Sequence, residues 1–388
     1  MKPGIWLTAQ REWQRIRQDR WVFALTVWLP PLFFVLIWGI FHVGIPQDLP
    51  IAVLDQDHSP LSRDLTRRLD AAPSLQVAYQ ADDLAQGMHL VRSGKAYALV
   101  VLPYRLDTDV KLHLSPSVMG YYNSQYVLIG KVINTALQTT IVTKATELNA
   151  QIHVARGENP YQAIGQALPL RNQLTPLYNI GLNYVPFLVT AVVPALWQIF
   201  LITVVIAALG LELRDSNGRA WLQSADGCLG VALAGKMLPY GLWFALHGAL
   251  FLWGMDVLLG WRIAGSIPLL LLAQWLTIGA YVAMGTLLYC TSFHYGRAAS
   301  AGAAYTAPAF AFMGITFPLA DMPGFARFWS DIIPISHYMQ VQIQQMNYAA
   351  SWRISWQAML PLLAFWLMIP PALWLLRVKL RKTGGMPV

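Results

Sequence analysis

Cysteine and charge are the two scarce commodities in this chain of 388 residues. There are 2 cysteines, Cys228 and Cys290, both in stretches that read below as lying near the inner side of a membrane, so disulfides hold no part of the outer segment together. Asp, Glu, Lys and Arg make up only 12% of the residues, about half the roughly 25% typical of soluble domains. The 8 histidines are scattered and form no Cys/His ligand cluster for zinc, so no metal centre is expected. Low-complexity tracts and internal repeats are missing too, which gives no support to an inverted-repeat transporter. No basic patch interrupts a soluble face, so nucleic acid is not an expected partner.

What is abundant is apolar length. Hydrophobic residues make up 56% of the chain, and mean hydropathy is +0.44. Residues 21–43, 182–211, 263–293, 298–320 and 354–376 hold no Asp, Glu, Lys or Arg, and 237–260 holds one acid, Asp256. Each run exceeds the roughly 20 residues a helix needs to cross about 30 Å of hydrocarbon. The expected fold is a polytopic α-helical membrane protein with six transmembrane helices. Prolines inside the runs (Pro30, Pro31, Pro186, Pro194, Pro239) are tolerated in such helices. The 16 Trp and 16 Tyr suit anchoring at membrane–water interfaces.

Charge then sets the sidedness. With both termini inside, the inner segments carry 13 Lys and Arg against 5 Asp and Glu, and the outer segments carry 14 of each. The whole formal excess of +8 falls on one side, as the positive-inside rule requires. The first run starts only at Trp21, exceeds a signal-peptide core in length, and ends without a small-residue cleavage site, so it reads as an uncleaved span. The preceding residues 1–20 read as an amphipathic cytoplasmic helix with Trp6, Leu7, Trp13 and Ile16 on one side and Arg11, Glu12, Arg15 and Arg17 on the other. A basic flank that merely fixes topology reads equally well.

Residues 44–180 change character to an inserted α/β extracytoplasmic domain. Strands are predicted at 50–54, 75–79, 96–102 and 110–114, and helices at 59–69, capped by Ser59, and 82–92. A long helical run is predicted over 119–155. Asp55, Asp57 and His58 have the spacing of a strand-ending turn, with metal or acid–base chemistry the rarer alternative. Residues 181–388 hold the remaining spans, a short polar inner loop at 212–227, and an outer amphipathic segment at 321–353 that lies on or dips into the interface. His247 and Asp256, both in the third run, stand nine positions apart and off phase, so a direct pair is not expected.

Gly230 to Lys236 fills the first seven places of a phosphate-binding loop, but Met237 stands where Ser or Thr would hold magnesium. The chain therefore has no nucleotide site of its own. The same region carries a different likeness. Glu212-Leu-Arg214-Asp215 with Gly218, then Gly235-Lys236-Met237-Leu238-Pro239-Tyr240, resembles the inner loop of type-2 ATP-binding-cassette exporter permeases. Residues 93–103 (SGKAYALVVLP) and 51–57 (IAVLDQD) resemble that family's strand–turn segments, and the order of one span, a large outer domain and five further spans matches nearly the whole chain. The chain departs from the family at residues 219–223 (RAWLQ), where an acid is usual.

The resemblance implies an ATP-driven export subunit in a bacterial inner membrane, carrying drug-like or other amphipathic substrates. ATP and magnesium would reside on a separate ATPase subunit. A second permease copy or paralogue would complete a dimer, with a periplasmic adaptor and outer-membrane channel as further partners. It places coupling to the ATPase at Glu212, Arg214, Asp215, Gly218, Arg219, Trp221 and Lys236. It places the substrate pathway on the second and fifth spans, at Asn183, Phe187, Gln198, Thr203, Tyr305, Phe310 and Met313. Taken alone, the loop also reads as a solvated topogenic turn, and the pathway residues as helix packing. A membrane-anchored sensor with an outer ligand-binding domain is the rival reading, although the inner loops are short for a signalling domain. A membrane-embedded enzyme would need convergent ionisable residues, and the spans are nearly devoid of them.

Overall fold

A computed structural model describes residues 3–42, 44, 46–112, 114–157, 159, 177–179, 183–214 and 218–382. The chain divides into two compact units, Met1–His42 with Tyr184–Val388, and Val43–Asn183.

In the second unit, β1 (Leu49–Asp55) leads to α3 (Pro60–Asp70), β2 (Leu75–Gln80), α4 (Leu84–Arg92), β3 (Ala98–Leu102), α5 (Leu106–Lys111), β4 (Met119–Tyr122) and the 29-residue α6 (Val127–Ala155). The numbering of these helices leaves α1 and α2 to the first unit. Sheet order is β2-β1-β3-β4, with β1 parallel to both neighbours and β4 antiparallel to β3. Strands β1 and β3 read as unbroken apolar runs because both sheet faces are covered. Ile51, Val53, Ala98, Val100 and Leu102 pack toward α3 and α6. Their alternates Ala52, Leu54, Leu99 and Val101 pack toward α4. Ser59 and Asp83 cap α3 and α4 by accepting backbone N–H bonds from Ser62 and Gln86. Asp55 accepts bonds from the Asp57 and His58 amides and from the Ser62 hydroxyl, so this turn uses its carboxylate to close itself.

Two assignments from sequence are corrected here. The alternation at 110–114 predicts a strand, but Leu106–Lys111 is a helix, begun at Arg105 in the left-handed region and carrying Asp107 and Asp109 in its first turn. The predicted helix over 119–155 begins only at Val127; Met119–Tyr122 is the edge strand, its pairing with β3 outweighing the helical pattern.

The first unit opens with α1 (Ile5–Gln18) and α2 (Arg20–Phe41). It resumes with α7 (Val185–Arg214), α8 (Gly218–Ser224), α9 (Leu229–Leu258) and α10 (Ile267–Ser292). There follow α11 (Tyr295–Thr306), α12 (Ala309–Phe312), α13 (Gly324–Asp331), α14 (Pro334–Met346) and α15 (Trp352–Lys382). Among the described residues five helices, α2, α7, α9, α10 and α15, are long and apolar enough to cross a membrane. The expected run at 298–320 is not a single helix. Pro308, which lacks a donor and crowds the preceding turn, separates α11 from the four-residue α12, and no long helix resumes before Pro318. Within the 321–353 segment, Ile335, Tyr338, Met339 and Val341 of α14 are buried in the core.

Helix α7 is the hub. Leu201, Val205 and Leu209 are fully buried, and α10, α11 and α14 pack around it. Interhelical polar bonds reinforce this packing: Gln274 donates to the Tyr338 hydroxyl at 3.1 Å and Gln342 donates to the Thr190 carbonyl at 2.8 Å. In contrast α2 and α15 expose Trp21, Val35, Ile40, Leu367 and Trp374, an apolar surface that water does not stabilise and lipid does.

Leu99, fully buried between β3 and α4, gives a direct check of the second unit. Leu99→Ala should cost about 2–5 kcal/mol, read as easier proteolysis between residues 49 and 155 of the purified chain while the apolar helices stay protected.

Candidate coupling site

Two of the residues singled out near the inner loop, Glu212 and Lys236, belong to a buried ion cluster. It forms where α1, the last turn of α7 and the first turns of α9 meet. Glu212 and Lys236 are completely buried, as is Glu12 of α1. Arg11 grips Glu212 with two parallel bonds of 2.9 and 2.7 Å, and Arg15 adds a third of 2.5 Å. The Lys236 ammonium donates to Glu12 at 2.6 Å and to Glu212 at 2.9 Å, and the Tyr240 hydroxyl donates to the other Glu12 oxygen at 2.7 Å. Two carboxylates are thus met by three cations and a phenol. Burial of Arg11 works against its charge, but the bond and field of Glu212, with that of Glu12, more than offset it and raise its pKa.

Local sequence explains how the pieces come so close. At Gly235 a Cβ would meet the Ile5 carbonyl and the Thr8 side chain at 2.7 Å, so only glycine lets α1 lie against α9. Thr8, Ala9, Glu12 and Ile16 form the buried stripe of α1. Glu12, expected on the polar side, is part of this buried stripe, while Trp6 is 68% exposed. Trp13, half-buried, stacks on Trp243 at 6.0 Å.

Helix α8 is fastened to both neighbours. Gly4 donates its amide to the Ser224 carbonyl at 2.8 Å, and the Thr8 and Ser224 hydroxyls share a 2.9 Å bond. Trp221, fully buried, donates its ring N–H to the Ala232 carbonyl at 3.0 Å and lies 5.9 Å from the Lys236 ammonium. Trp221 therefore anchors α8 from inside and does not stand on its outer face. Gly218 is buried as well; a Cβ there would meet Leu380 of α15 at 2.7 Å. Arg214 and Arg219 are the exposed members of the set. Asp215 lies outside the described residues.

The seven pathway residues do not gather in one place. Gln198 is fully buried, bonded by the Tyr281 hydroxyl and donating to the Thr306 carbonyl at 3.4 Å. Met313 is buried in the same core, Phe310 packs against it, and the Tyr305 hydroxyl donates to the Ile332 carbonyl. Thr203 turns back onto the Ile199 carbonyl at 2.7 Å, and Phe187 is 39% exposed on the first turn of α7. Asn183 belongs to the other unit, where it exchanges bonds with Asn179.

Sequence reasoning missed Glu12, Arg11, Arg15 and Tyr240 as partners of Glu212 and Lys236. A usable signal was there: a lysine seven residues into an apolar helix demands a buried counter-charge.

Removing one member of such a cluster leaves the others uncompensated. Lys236→Met should destabilise the first unit by about 3–5 kcal/mol, and Glu12→Gln added to it should restore part of the loss. Thermal unfolding of the two purified variants in detergent measures this; an unchanged midpoint for Lys236→Met would show that the cluster holds nothing.

No curated protein matches the chain. The sequence model of the ABC-2 family transporter protein matches residues 20–376. That match runs from the first turn of α2 almost to the end of α15, taking in the five apolar helices and the α/β unit. It makes this a multi-pass membrane protein, and by its length it shows that the chain belongs to the ABC-2 family of transporter proteins.

Proposed function

We propose that the chain is the permease subunit of an ATP-driven exporter, coupled through α8 and α1 to a separate ATPase that holds the ATP and magnesium. Family membership supports the transport role and an ATPase partner. The observation that carries the coupling assignment is the buried cluster of Glu12, Glu212 and Lys236, which joins three helices into one stiff piece. A push on α8 reaches α1 through Ser224 and Thr8, and reaches α9 through Trp221. From there the ions pass it to the end of α7, the hub of the bundle.

In this reading Arg214, Arg219 and Asp215 meet the ATPase, while Glu212, Gly218, Trp221 and Lys236 transmit the push. Substrate moves along α7 and the α11–α12 segment once a second permease copy or paralogue faces them, so Gln198, Thr203, Tyr305, Phe310 and Met313 become accessible only as that packing rearranges. Aromatic and methionine side chains repack readily, which suits loosely specific amphipathic or drug-like substrates. Both termini and α8 face the cytoplasm of a bacterial inner membrane, in keeping with the positive excess on those segments. The α/β unit then lies on the opposite side, available to a periplasmic adaptor and outer-membrane channel.

The test is the double variant Arg214→Glu with Arg219→Glu. It should fold, since both side chains are exposed, yet lose coupling worth about 1–3 kcal/mol, or 5–150-fold in transport-linked ATP hydrolysis. Co-purification with the ATPase and export by the double variant at the normal rate would remove the assignment.

A further inference from the structure

A groove between α1 and α9 has the lining and the setting of a lipid site. Thr8 of α1 lies against Gly235 of α9, and beside this contact the two helices border a hollow of 640 Å³. Trp6, Gln10 and Trp13 line it from α1, recurring at intervals of four and three on one face of that helix. Leu238, Leu242 and Leu246 line it from α9 at intervals of four, a second continuous face. No Asp, Glu, Lys or Arg is among the lining residues, and none of those expected along the substrate pathway is either.

Two observations say what covers these walls. Leu242 is 52% exposed and Leu246 45% exposed, on a helix long and apolar enough to cross a membrane. Exposed leucines on such a helix stand where hydrocarbon is the solvent. Trp6, Trp13 and Trp243 gather at the same place, with Trp13 stacked on Trp243 at 6.0 Å. Tryptophan settles where acyl chains meet headgroups, because its ring is apolar and its N–H is not. Helix α1 thus presents its buried stripe to the ion cluster and, beside it, an aromatic face at headgroup depth.

Charge selects the headgroup. Arg17 continues the aromatic face of α1 four residues after Trp13, is exposed, and holds its guanidinium 5.1 Å from the centre of the Trp13 ring. Stacking engages the flat face of a guanidinium, and the N–H groups in its plane match phosphate oxygens. The acids nearby in sequence are engaged elsewhere. Lys236 and Tyr240 donate to the Glu12 carboxylate, and Asp19 accepts the amides of Trp21 and Val22. A zwitterionic lipid would bring its own ammonium to compete with Arg17, whereas an anionic one would not. At about 30 Å³ for each water-sized group, the space takes on the order of twenty heavy atoms, one acyl chain with its ester. We propose that this groove binds an anionic phospholipid, one acyl chain along Leu242 and Leu246 and the phosphate at Arg17 beside Trp13. The proposal rests on the chain's place in a membrane and not on its coupling to an ATPase.

The probe is phosphatidylglycerol carrying a photoreactive diazirine on one acyl chain, used on the full chain in phosphatidylcholine nanodiscs, with adducts mapped by peptide mass spectrometry. Saturable labelling of peptides covering 6–17 and 238–246 is expected, several-fold above that from phosphatidylcholine bearing the same diazirine. Arg17→Gln should lower the phosphatidylglycerol labelling about fivefold, the worth of one basic residue at an anionic surface, and leave the phosphatidylcholine labelling unchanged. Leu242→Trp, which fills the groove, should lower labelling by both lipids. Both changes fall on exposed side chains, so an unaltered thermal midpoint in detergent is expected and separates lost lipid from lost fold. Equal labelling by the two lipids, labelling unchanged in Arg17→Gln, adducts spread evenly over the apolar helices, or no labelling because a second copy covers the groove would each overturn the proposal. ATP hydrolysis does not enter the readout, so these outcomes leave the export reading where it stands.

Discussion

A lysine ammonium sealed from water beside two glutamates is the constraint on which the first unit turns. Neither carboxylate nor ammonium tolerates an apolar interior alone, and the desolvation cost is recovered only when every partner is in place. Glu12, Glu212 and Lys236 come from three helices, the first some two hundred residues of sequence before the other two, so satisfying them fixes where α1 docks, where α7 ends and how α9 begins. Gly235 supplies the close approach that the ions need, and Tyr240 closes the last oxygen. The surface helix is thereby made a structural part of the bundle.

The two units solve the problem of stability differently. The bundle exposes apolar side chains on α2 and α15 and relies on its surroundings to cover them. The α/β unit contains no cysteine and encloses two small cores, one on each face of a four-stranded sheet. Its long helix is only half used for that purpose, and ion pairs do the rest.

Much of the architecture was legible in the sequence because its signals are local. Uncharged runs longer than a bilayer is thick gave the long helices, and the runs IAVL and ALVVL gave the two central strands. What escaped depends on partners distant in sequence. The strand at Met119–Tyr122 exists because β3 offers it an edge, and Leu106–Lys111 is helical although its pattern alternates. Pro308 stood in plain view inside the expected fifth run, where membrane helices often accommodate proline, and only packing decided that here the helix would break. At the candidate site the inner ends of the second and third runs were picked out, with Glu212 and Lys236 among them, but not the charges that meet them. On α1 the sequence pattern put Glu12 on the polar side, because no local rule announces that a glutamate will be buried.

The contact between Gly218 and Leu380 carries a mechanical consequence. The first residue of the short inner helix lies close to a side chain of α15, so that a Cβ there would meet the Leu380 methyl at 2.7 Å. Helix α8 thus has a backstop. Sinking toward α15 requires the Leu380 side chain to give way, whereas a sideways swing toward α1 and α9 does not, so the helix that ends the bundle biases the directions in which the inner loop travels.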